Sequence, residues 1–153
     1  MTNDDRPMAG KPKVTAVCIS KIKGVIKTPV QEIHARKNHG IEGDAHAGEQ
    51  SRQVSLLACE SVDKVRDRIQ NPKAGIFAEN ILTSGICLYE LPVGTKLRTG
   101  EALLEVIQIG KECHNDGCAI KKQTGDCVMP REGIFASVLE SGRIKPGDDI
   151  IIE

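Results

Sequence analysis

The residues best suited to chemistry in this 153-residue sequence lie in one segment, GKECHNDGCAIKKQTGDC, which follows the apolar stretch ALLEVIQI. The segment contains three thiols, Cys113, Cys118 and Cys127, and the imidazole of His114. Lys111 precedes Cys113 by two positions, and a neighbouring cation stabilises the thiolate, which is the reactive form of cysteine. The segment therefore predicts a reactive thiol, with Cys113 as nucleophile or sulfur carrier and His114 as its partner in proton transfer.

The same residues leave other interpretations open. Cys113 could instead be a ligand of a soft metal centre. A structural zinc site formed by Cys113, His114, Cys118 and Cys127 is a further alternative, although the successive spacings of one, four and nine residues include no paired CxxC. The remaining interpretation is a loop whose cysteines are incidental and have no chemical role.

A second candidate site is the glycine-rich stretch GIEGDAHAG, which Arg52 follows. A glycine such as Gly43 lets backbone N–H groups approach an anion, and an arginine binds phosphate or carboxylate through two parallel hydrogen bonds. Asp44 and His46 flank one residue and would point to the same side of an extended backbone. Either they bind a polar ligand, or His46 is a structural histidine hydrogen-bonded to Asp44. The stretch matches neither GxGxxG nor a P-loop, so no nucleotide site of those types is predicted.

The composition excludes several classes of function. Basic and acidic residues both number 21, and aromatic residues make up 2% of the chain. We therefore expect neither a basic nucleic-acid surface nor an aromatic stacking platform. The N-terminal stretch MTNDDRPMAGKPK lacks the apolar region of a signal peptide, and no apolar run is long enough to span a bilayer. These features predict a cytoplasmic protein with no nucleic-acid or membrane partner.

The other three of the six cysteines are interpreted differently. A reducing compartment disfavours disulfides. Cys18, Cys59 and Cys87 lie in apolar surroundings in the sequence, and we expect all three to be packing residues.

Residue patterns predict mostly strands. Lys13–Ser20 is rich in β-branched residues and is predicted to be a buried strand. TKLRT and ALLEVIQI flank Gly100 and Glu101, which predicts a hairpin. With no regular alternation of strands and helices, a doubly wound sheet is not expected.

Two short helices are predicted. CESVDKVRDRI places apolar residues on one helical face and is followed by Asn71 and Pro72, which would end the helix. REGIFASVLESG has Ile134 and Val138 four positions apart, with Gly142 as a C-cap. The predicted fold is thus a mostly-β barrel with short helices, in which residues 1–12 form a flexible lead-in and residues 13–153 form one domain.

Four segments in register resemble one known family. GIEGDAHAG-x3-RQVSLL, AENIL with LPVGTKL, IGKECH-x3-C and MPREGIFASVLESGRIKPGD together resemble the stand-alone MOSC domains, named after the C-terminal domain of molybdenum cofactor sulfurases. The resemblance implies a β-barrel of the type inserted in pyruvate kinase, with short helices outside it.

The resemblance also implies handling of the molybdenum cofactor (molybdopterin), by binding it, by transferring sulfur to it, or both. Cys113 matches a family cysteine that carries sulfur as a persulfide in sulfurase-type members and ligates molybdenum in amidoxime-reducing members. The glycine-rich loop would line the same cleft. The implied cofactor-binding residues are Gly43, Asp44, His46, Arg52 and Lys111.

The expected partners are molybdopterin or a molybdoenzyme, with a cysteine desulfurase as sulfur donor. The chain has no desulfurase domain of its own, and no PLP site is identified. A non-catalytic cofactor-binding module or chaperone, and a zinc-stabilised scaffold, are the alternatives. The sequence leaves open which loop thiol acts and what the oligomeric state is. It also leaves open whether the protein is an enzyme; if it is one, we expect a sulfurtransferase.

Overall fold

The structure is a computed structural model that describes residues 11–22, 26–45, 47–48, 53–64, 74–110 and 132–153. The described residues form eleven strands, one α-helix (α1, Cys59–Asp63) and one 3-10 helix (Leu88–Glu90). The strands are β1 Lys13–Ile19, β2 Thr28–Val30, β3 Ile33–Arg36, β4 Gly40–Ile41, β5 Val54–Ala58, β6 Ile81–Ser84, β7 Lys96–Thr99, β8 Ala102–Ile109, β9 Ile134–Glu140, β10 Gly142–Ile144 and β11 Ile150–Ile152.

Eight strands form one sheet in the order β11-β7-β8-β9-β5-β6-β1-β2, and β10-β3-β4 form a second. The β5–β6 pair is parallel and the other pairs are antiparallel. Near the two ends of the large sheet, one isolated bridge joins Lys13 to Asp149, and Val14 donates its N–H to the carbonyl of Asp148 at 2.9 Å. Gly147 and Ile150 also donate N–H groups to the carbonyls of Val14 and Pro12, at 2.8 and 3.0 Å. The mostly-β prediction is confirmed. Among the described strands, however, β1 and β11 are not paired with each other, so this contact does not close a complete barrel.

The core is aliphatic and has two parts. The main cluster lies on one side of the large sheet and includes Leu56, while the smaller cluster contains the next residue, Leu57, and both phenylalanines, Phe77 and Phe135. Successive side chains of a strand point to opposite faces, so β5 is covered on both sides, and all five of its residues are buried. The aromatic content of the chain is concentrated in this second cluster.

The helix predicted over REGIFASVLESG is wrong, because Ile134–Glu140 of this stretch form β9. Ile134 and Val138 fit a helical spacing, but with Ala136 they also alternate along a strand, and all three enter the main cluster while Phe135 enters the other. β9 is hydrogen-bonded to β8 on one side and β5 on the other. Gly142 begins β10 and is no C-cap. A short apolar run fits both the helical and the strand periodicity. Here the hydrogen bonding of β9 to a strand on each side favours the strand.

The other local predictions have mixed outcomes. The predicted strand at Lys13 is present as β1, and the predicted hairpin is present as β7 and β8, in which Thr99 pairs with Ala102. The first predicted helix begins at Cys59 as expected, but its part beyond residue 64 lies outside the described residues, as do residues 1–10 of the predicted lead-in. No helix in the described ranges is both long and apolar enough to cross a membrane.

Candidate functional site

Most of the predicted site residues lie outside the described part of the chain. These are His46, Arg52, Lys111, Cys113, His114, Cys118 and Cys127. Their roles as thiol, cofactor or zinc residues therefore stay predictions. Gly43 and Asp44 are described, and so are the residues that flank the Cys113 segment. Among the described residues, no three His, Cys, Asp or Glu side chains are grouped so that they could hold a metal ion.

The segment from 111 to 131 is flanked by two residues that meet at one edge of the large sheet. Ile109 at the end of β8 pairs with Ile134 at the start of β9. Next to this pair, Gly110 donates its N–H to the carbonyl of Gly133 at 2.6 Å. The C-terminal end of β5 reaches the same edge, since Leu56 also pairs with Ile134. This edge is therefore where the flanks of the thiol-rich segment and the start of α1 come together.

A cleft of about 290 Å³ lies at this edge, between α1 and the turn after β6. Apolar and polar side chains share its walls. The residues that matter for its chemistry are Ala58, Glu60, Lys64, Ile86, Cys87 and Tyr89.

Glu60 is anchored at the cleft by one of its two carboxylate oxygens. Oε2 accepts a hydrogen bond from the backbone N–H of Gly85 at 2.9 Å. Oε1 is buried and has no hydrogen-bond partner in the described part of the chain. The carboxylate thus retains an unused acceptor.

Lys64 connects the cleft to the end of the thiol-rich segment. Its Nζ donates to Glu132 Oε2 at 2.8 Å and to the Tyr89 hydroxyl at 3.4 Å, and it lies 5.2 Å from the centre of the Tyr89 ring. The hydrogen bond to Glu132, and then that to Tyr89, raise the pKa of Lys64 above its ordinary value. The ammonium therefore stays charged at the edge of the cleft, beside the residue with which the described chain resumes after 131.

The three cysteines interpreted as packing residues have different environments. Cys18 is buried in β1, and burial, followed by the charge of Glu79, raises the pKa of its thiol to about 12, so it is unreactive near neutral pH. Cys59 is half-buried against the smaller core cluster. For Cys87 the prediction is wrong, because this free thiol is exposed and lines the cleft. The chain turns into the 3-10 helix at Leu88, which buries Leu88 and leaves Cys87 outside.

Asp44 takes part in a buried ion pair. Its Oδ1 accepts hydrogen bonds from Lys27 Nζ at 2.8 Å and from the N–H of Ser20 at 3.0 Å. The side chains of Lys27 and Asp44 are 1% and 0% exposed. Gly43 just before it has a φ of +83°, a conformation that favours glycine. The carboxylate thus connects the glycine-rich loop to the end of β1.

The described part of the glycine-rich loop is far from the cleft. Asp44 contacts Ser20, which follows the C-terminal end of β1. At that end of β1, Cys18 donates its N–H to the carbonyl of Asn80, which directly precedes β6. The cleft lies beyond the opposite end of β6, at Gly85. Gly43 and Asp44 therefore do not line this cleft. The expectation that the glycine-rich loop and Cys113 line one cleft stays a prediction, because Cys113 lies outside the described residues.

Sequence reasoning missed a buried polar network beside Asp44. Glu79 accepts the N–H groups of Gly75 at 2.7 Å and Phe77 at 3.1 Å, and burial raises its pKa to about 7. Asn80 accepts the N–H of Ser55 at 3.1 Å and donates to the Cys18 carbonyl at 3.0 Å. The signal was present in IFAENIL, where two polar residues stand between apolar runs.

Comparison with known families identifies the chain. A family model described as the MOSC domain matches residues 43–151, which is most of the chain. The protein belongs to the MOSC domain family. This family is associated with molybdenum cofactor sulfurases. The match includes the glycine-rich loop from Gly43 onwards, the cleft and the thiol-rich segment.

This MOSC protein also shares its fold with solved structures. It is similar to the YuaD protein from Bacillus subtilis, with a TM-score of 0.76 and 19% identity over 92% of this chain and 94% of that one. It is similar to YiiM from Geobacillus stearothermophilus, with a TM-score of 0.71 and 19% identity over 93% and 75% of the two chains. It is also similar to YiiM from Escherichia coli, with a TM-score of 0.67 and 18% identity over 94% of this chain and 70% of that one. No curated protein sequence gives a significant match. At these identities the structural likeness shows the fold alone.

Proposed function

We propose that this MOSC protein handles the molybdenum cofactor in the cytoplasm, by binding molybdopterin and by transferring sulfur to it through Cys113. The observation that carries the proposal is the family match, which spans the thiol-rich segment and the glycine-rich loop from Gly43 onwards. We take residues 13–153 as one domain with this activity.

The cleft beside α1 suits a small cofactor of this kind. Lys64 supplies a cation for a phosphate or another anionic group. Ala58 and Ile86 supply apolar walls, and pockets for small ligands combine such walls with a few polar groups. When bound, the cofactor would supply a molybdenum centre that accepts sulfur.

Cys113 performs the sulfur transfer in this proposal. Its thiolate attacks the outer sulfur of a persulfide on the donor, and the donor's S–S bond breaks with its electron pair leaving on the inner sulfur as a thiolate. Cys113 then holds the transferred sulfur as its own persulfide. His114 accepts the proton of the Cys113 thiol, and the charge of Lys111 favours the thiolate. The donor is a cysteine desulfurase, and the acceptor is molybdopterin or a molybdoenzyme that contains it.

The test is sulfur loading of the intact protein. Incubation with a cysteine desulfurase and cysteine should add one sulfur atom, seen by intact mass spectrometry and removed by a thiol reductant. Cys113→Ser should abolish the added mass. Cys118→Ser and Cys127→Ser serve as matched controls from the same segment and should load like the wild type. No loading of the wild type, or equal loading of Cys113→Ser, would refute the role of Cys113.

The cleft favours a second candidate, a non-catalytic cofactor-binding module, because its described walls combine the Lys64 cation with apolar surface from Ala58 and Ile86. This alternative predicts that cofactor binding survives in Cys113→Ser and is weakened by Arg52→Ala. Binding measurements on those two variants separate it from the sulfur carrier.

A further inference from the structure

A cluster of buried charged groups lies beside the turn that precedes β6. Lys27 and Asp44 form the ion pair described above, with side chains that are 1% and 0% exposed. Glu79 is 1% exposed, and its charge interacts with that of Lys27. Among the described residues, the cluster therefore holds two carboxylates and one ammonium. When both carboxylates are ionised, one buried negative charge is left without a cation among these residues, and such a charge is unfavourable.

Residues 75–79, here called the Gly75 turn, depend on Glu79 for their closure. The carboxylate accepts the N–H of Gly75 at Oε2 and the N–H of Phe77 at Oε1. Ala78 donates its N–H to the carbonyl of Gly75 at 2.9 Å. The φ angles of Gly75 and Ala78 are +92° and +65°, and a residue with a Cβ is strained in this conformation. The closed turn is therefore strained at Ala78 and is held by a side chain that can ionise.

We propose that the Gly75 turn is a pH-sensitive switch, which is closed while Glu79 carries a proton and opens when Glu79 loses it. The proton passes to solvent, and opening brings the new carboxylate charge into contact with water. Hydration removes the cost of the buried charge, and opening also releases the strain at Ala78. Burial raises the pKa of Glu79 to about 7, so the switch operates near neutral pH. Because the closed turn binds the proton more tightly than a hydrated glutamate does, a rise in pH favours the open turn.

The ionisable groups that face Glu79 in the described part of the chain belong to other segments. Lys27 precedes β2, and its charge favours the ionised form of Glu79 without outweighing burial. Cys18 lies on β1, and its thiol stays protonated near neutral pH because burial and the charge of Glu79 raise its pKa to about 12. Asp44 follows β4 and reaches the cluster through its 2.8 Å hydrogen bond from Lys27. The change of charge that operates the switch is therefore that of Glu79.

Opening of the Gly75 turn would affect two neighbours. The Sγ atom of Cys18 lies 3.4 Å from the position that a Cβ on Gly75 would occupy, so the closed turn covers this thiol. The carbonyl of Gly75 also accepts the backbone N–H of Lys27 at 2.8 Å, and the side chain of Lys27 binds Asp44. The switch thus connects the turn to the glycine-rich loop, and it depends neither on the cleft nor on the sulfur chemistry of Cys113.

Amide hydrogen exchange of the full chain, followed by NMR between pH 6 and pH 8, measures the opening. After correction for the intrinsic pH dependence of exchange, the protection of Gly75 and Phe77 should fall by about tenfold over this range. This is the factor expected when opening lowers the pKa of Glu79 from about 7 to 4.5. The amides of Asp44 and Ala45, which donate to Ile41 and Ser20, should lose protection over the same range.

The same data separate opening of the turn from global unfolding. Leu104 of β8 and Val138 of β9 pair in the large sheet and belong to the main core cluster. Gly75 and Phe77 should exchange faster than these two residues at every pH, because the turn opens while the sheet stays folded. Equal protection of the turn and the sheet would show that only global unfolding exposes the turn, and it would overturn the switch.

Three variants complete the test. Glu79→Gln cannot ionise, so protection of its turn should not change with pH. Glu90→Gln is the matched control and should keep the wild-type pH dependence, because Glu90 is exposed in the 3-10 helix. Ala78→Gly relieves the strain of the closed turn and should raise its protection by about two- to fivefold at each pH. This variant and the wild-type profile keep the switch testable if Glu79→Gln does not fold.

Alkylation of Cys18, followed by peptide mass mapping, locates the opening. The ratio of its rate in the wild type to its rate in Glu79→Gln should rise by about tenfold between pH 6 and pH 8. Protection of the wild-type turn that does not change with pH, or that changes equally in Glu79→Gln, would overturn the switch. An opening turn with no change at Asp44 and Ala45 would overturn its connection to the glycine-rich loop.

Discussion

At the scale of single residues, a charged side chain in a candidate loop can either bind a ligand or stabilise the fold, and only its surroundings distinguish the two roles. Asp44 is predicted from sequence as a cofactor-binding residue, and in the structure its carboxylate is fully buried against Lys27 and Ser20. Cys87 shows the opposite case, since apolar neighbours in the sequence indicate packing and the thiol is exposed. For Asp44 the deciding neighbours lie elsewhere in the chain, whereas the exposure of Cys87 follows from the turn into the 3-10 helix at Leu88.

The burial of Asp44 predicts a large effect on stability. Asp44→Asn removes the charge of the carboxylate that accepts the buried Lys27 hydrogen bond at 2.8 Å, which should lower the free energy of unfolding by about 3 kcal/mol. Urea denaturation measures this change. Asp149→Asn is the control, because Asp149 forms an exposed ion pair with Lys13 at 2.7 Å and its loss should hardly move the midpoint. Wild-type stability of Asp44→Asn together with weaker cofactor binding would instead support the binding role.

At the scale of elements, hydrogen bonding to neighbours determines what a short apolar run becomes. β9 has a sequence compatible with a helix, but as a strand it pairs with both β5 and β8 and reaches both core clusters. The β7–β8 hairpin is predictable because its turn and both of its strands are contiguous in the chain.

The turn that contains Gly75 offers a test of packing between elements. Gly75 has a φ of +92°, and a Cβ there would overlap the backbone carbonyl of Lys27. Gly94 has a similar φ of +98° but nothing within 4 Å of its Cβ position. Gly94→Ala should therefore cost about 1–2 kcal/mol of stability from backbone strain alone.

Gly75→Ala adds a steric clash to the same strain and should be markedly less stable than Gly94→Ala. Chemical denaturation of both variants isolates the steric contribution as the difference between them. Equal destabilisation would show that the turn shifts away from Lys27 without cost.

At the scale of the whole molecule, the fold keeps an ionisable group inside the protein. In the sequence, Glu79 lies between Phe77 of the smaller core cluster and Ile81 of the main cluster. Its carboxylate accepts the N–H groups of Gly75 and Phe77 and so stabilises the turn that leads into β6. Burial raises its pKa from 4.5 to about 7, while hydrogen bonds from the backbone and the charge of Lys27 act in the opposite direction. The pH dependence of global stability should therefore contain a contribution from this residue.

The sign of that contribution follows from the direction of the shift. Between pH 4.5 and about 7 the unfolded chain releases the Glu79 proton and the folded chain retains it. The stability that Glu79 contributes is therefore fully present below pH 4.5 and is lost as the pH rises to about 7. Relative to Glu79→Gln, the wild type should lose up to ~3 kcal/mol between pH 4 and pH 8. Urea denaturation of both proteins at the two pH values measures this difference. Identical pH dependence in the two would contradict it.

The sequence by itself was sufficient for the properties that depend on local or summed patterns. The mostly-β fold, β1, the β7–β8 hairpin and the MOSC family follow from alternation, turn residues and four motifs in register. The candidate thiols and the loop residues outside the described ranges also come from the sequence alone, and they stay predictions.

The tertiary structure decided what depends on partners far apart in the chain. Lys27 meets Asp44, Lys64 meets Glu132, and Glu60 meets Gly85, and none of these contacts is encoded in a local spacing. Burial and solvent exposure arise when distant strands pair, because pairing determines which face of each element water can reach. For that reason the strand β9, the exposed Cys87 and the cleft with its unused carboxylate oxygen become visible only in the folded chain.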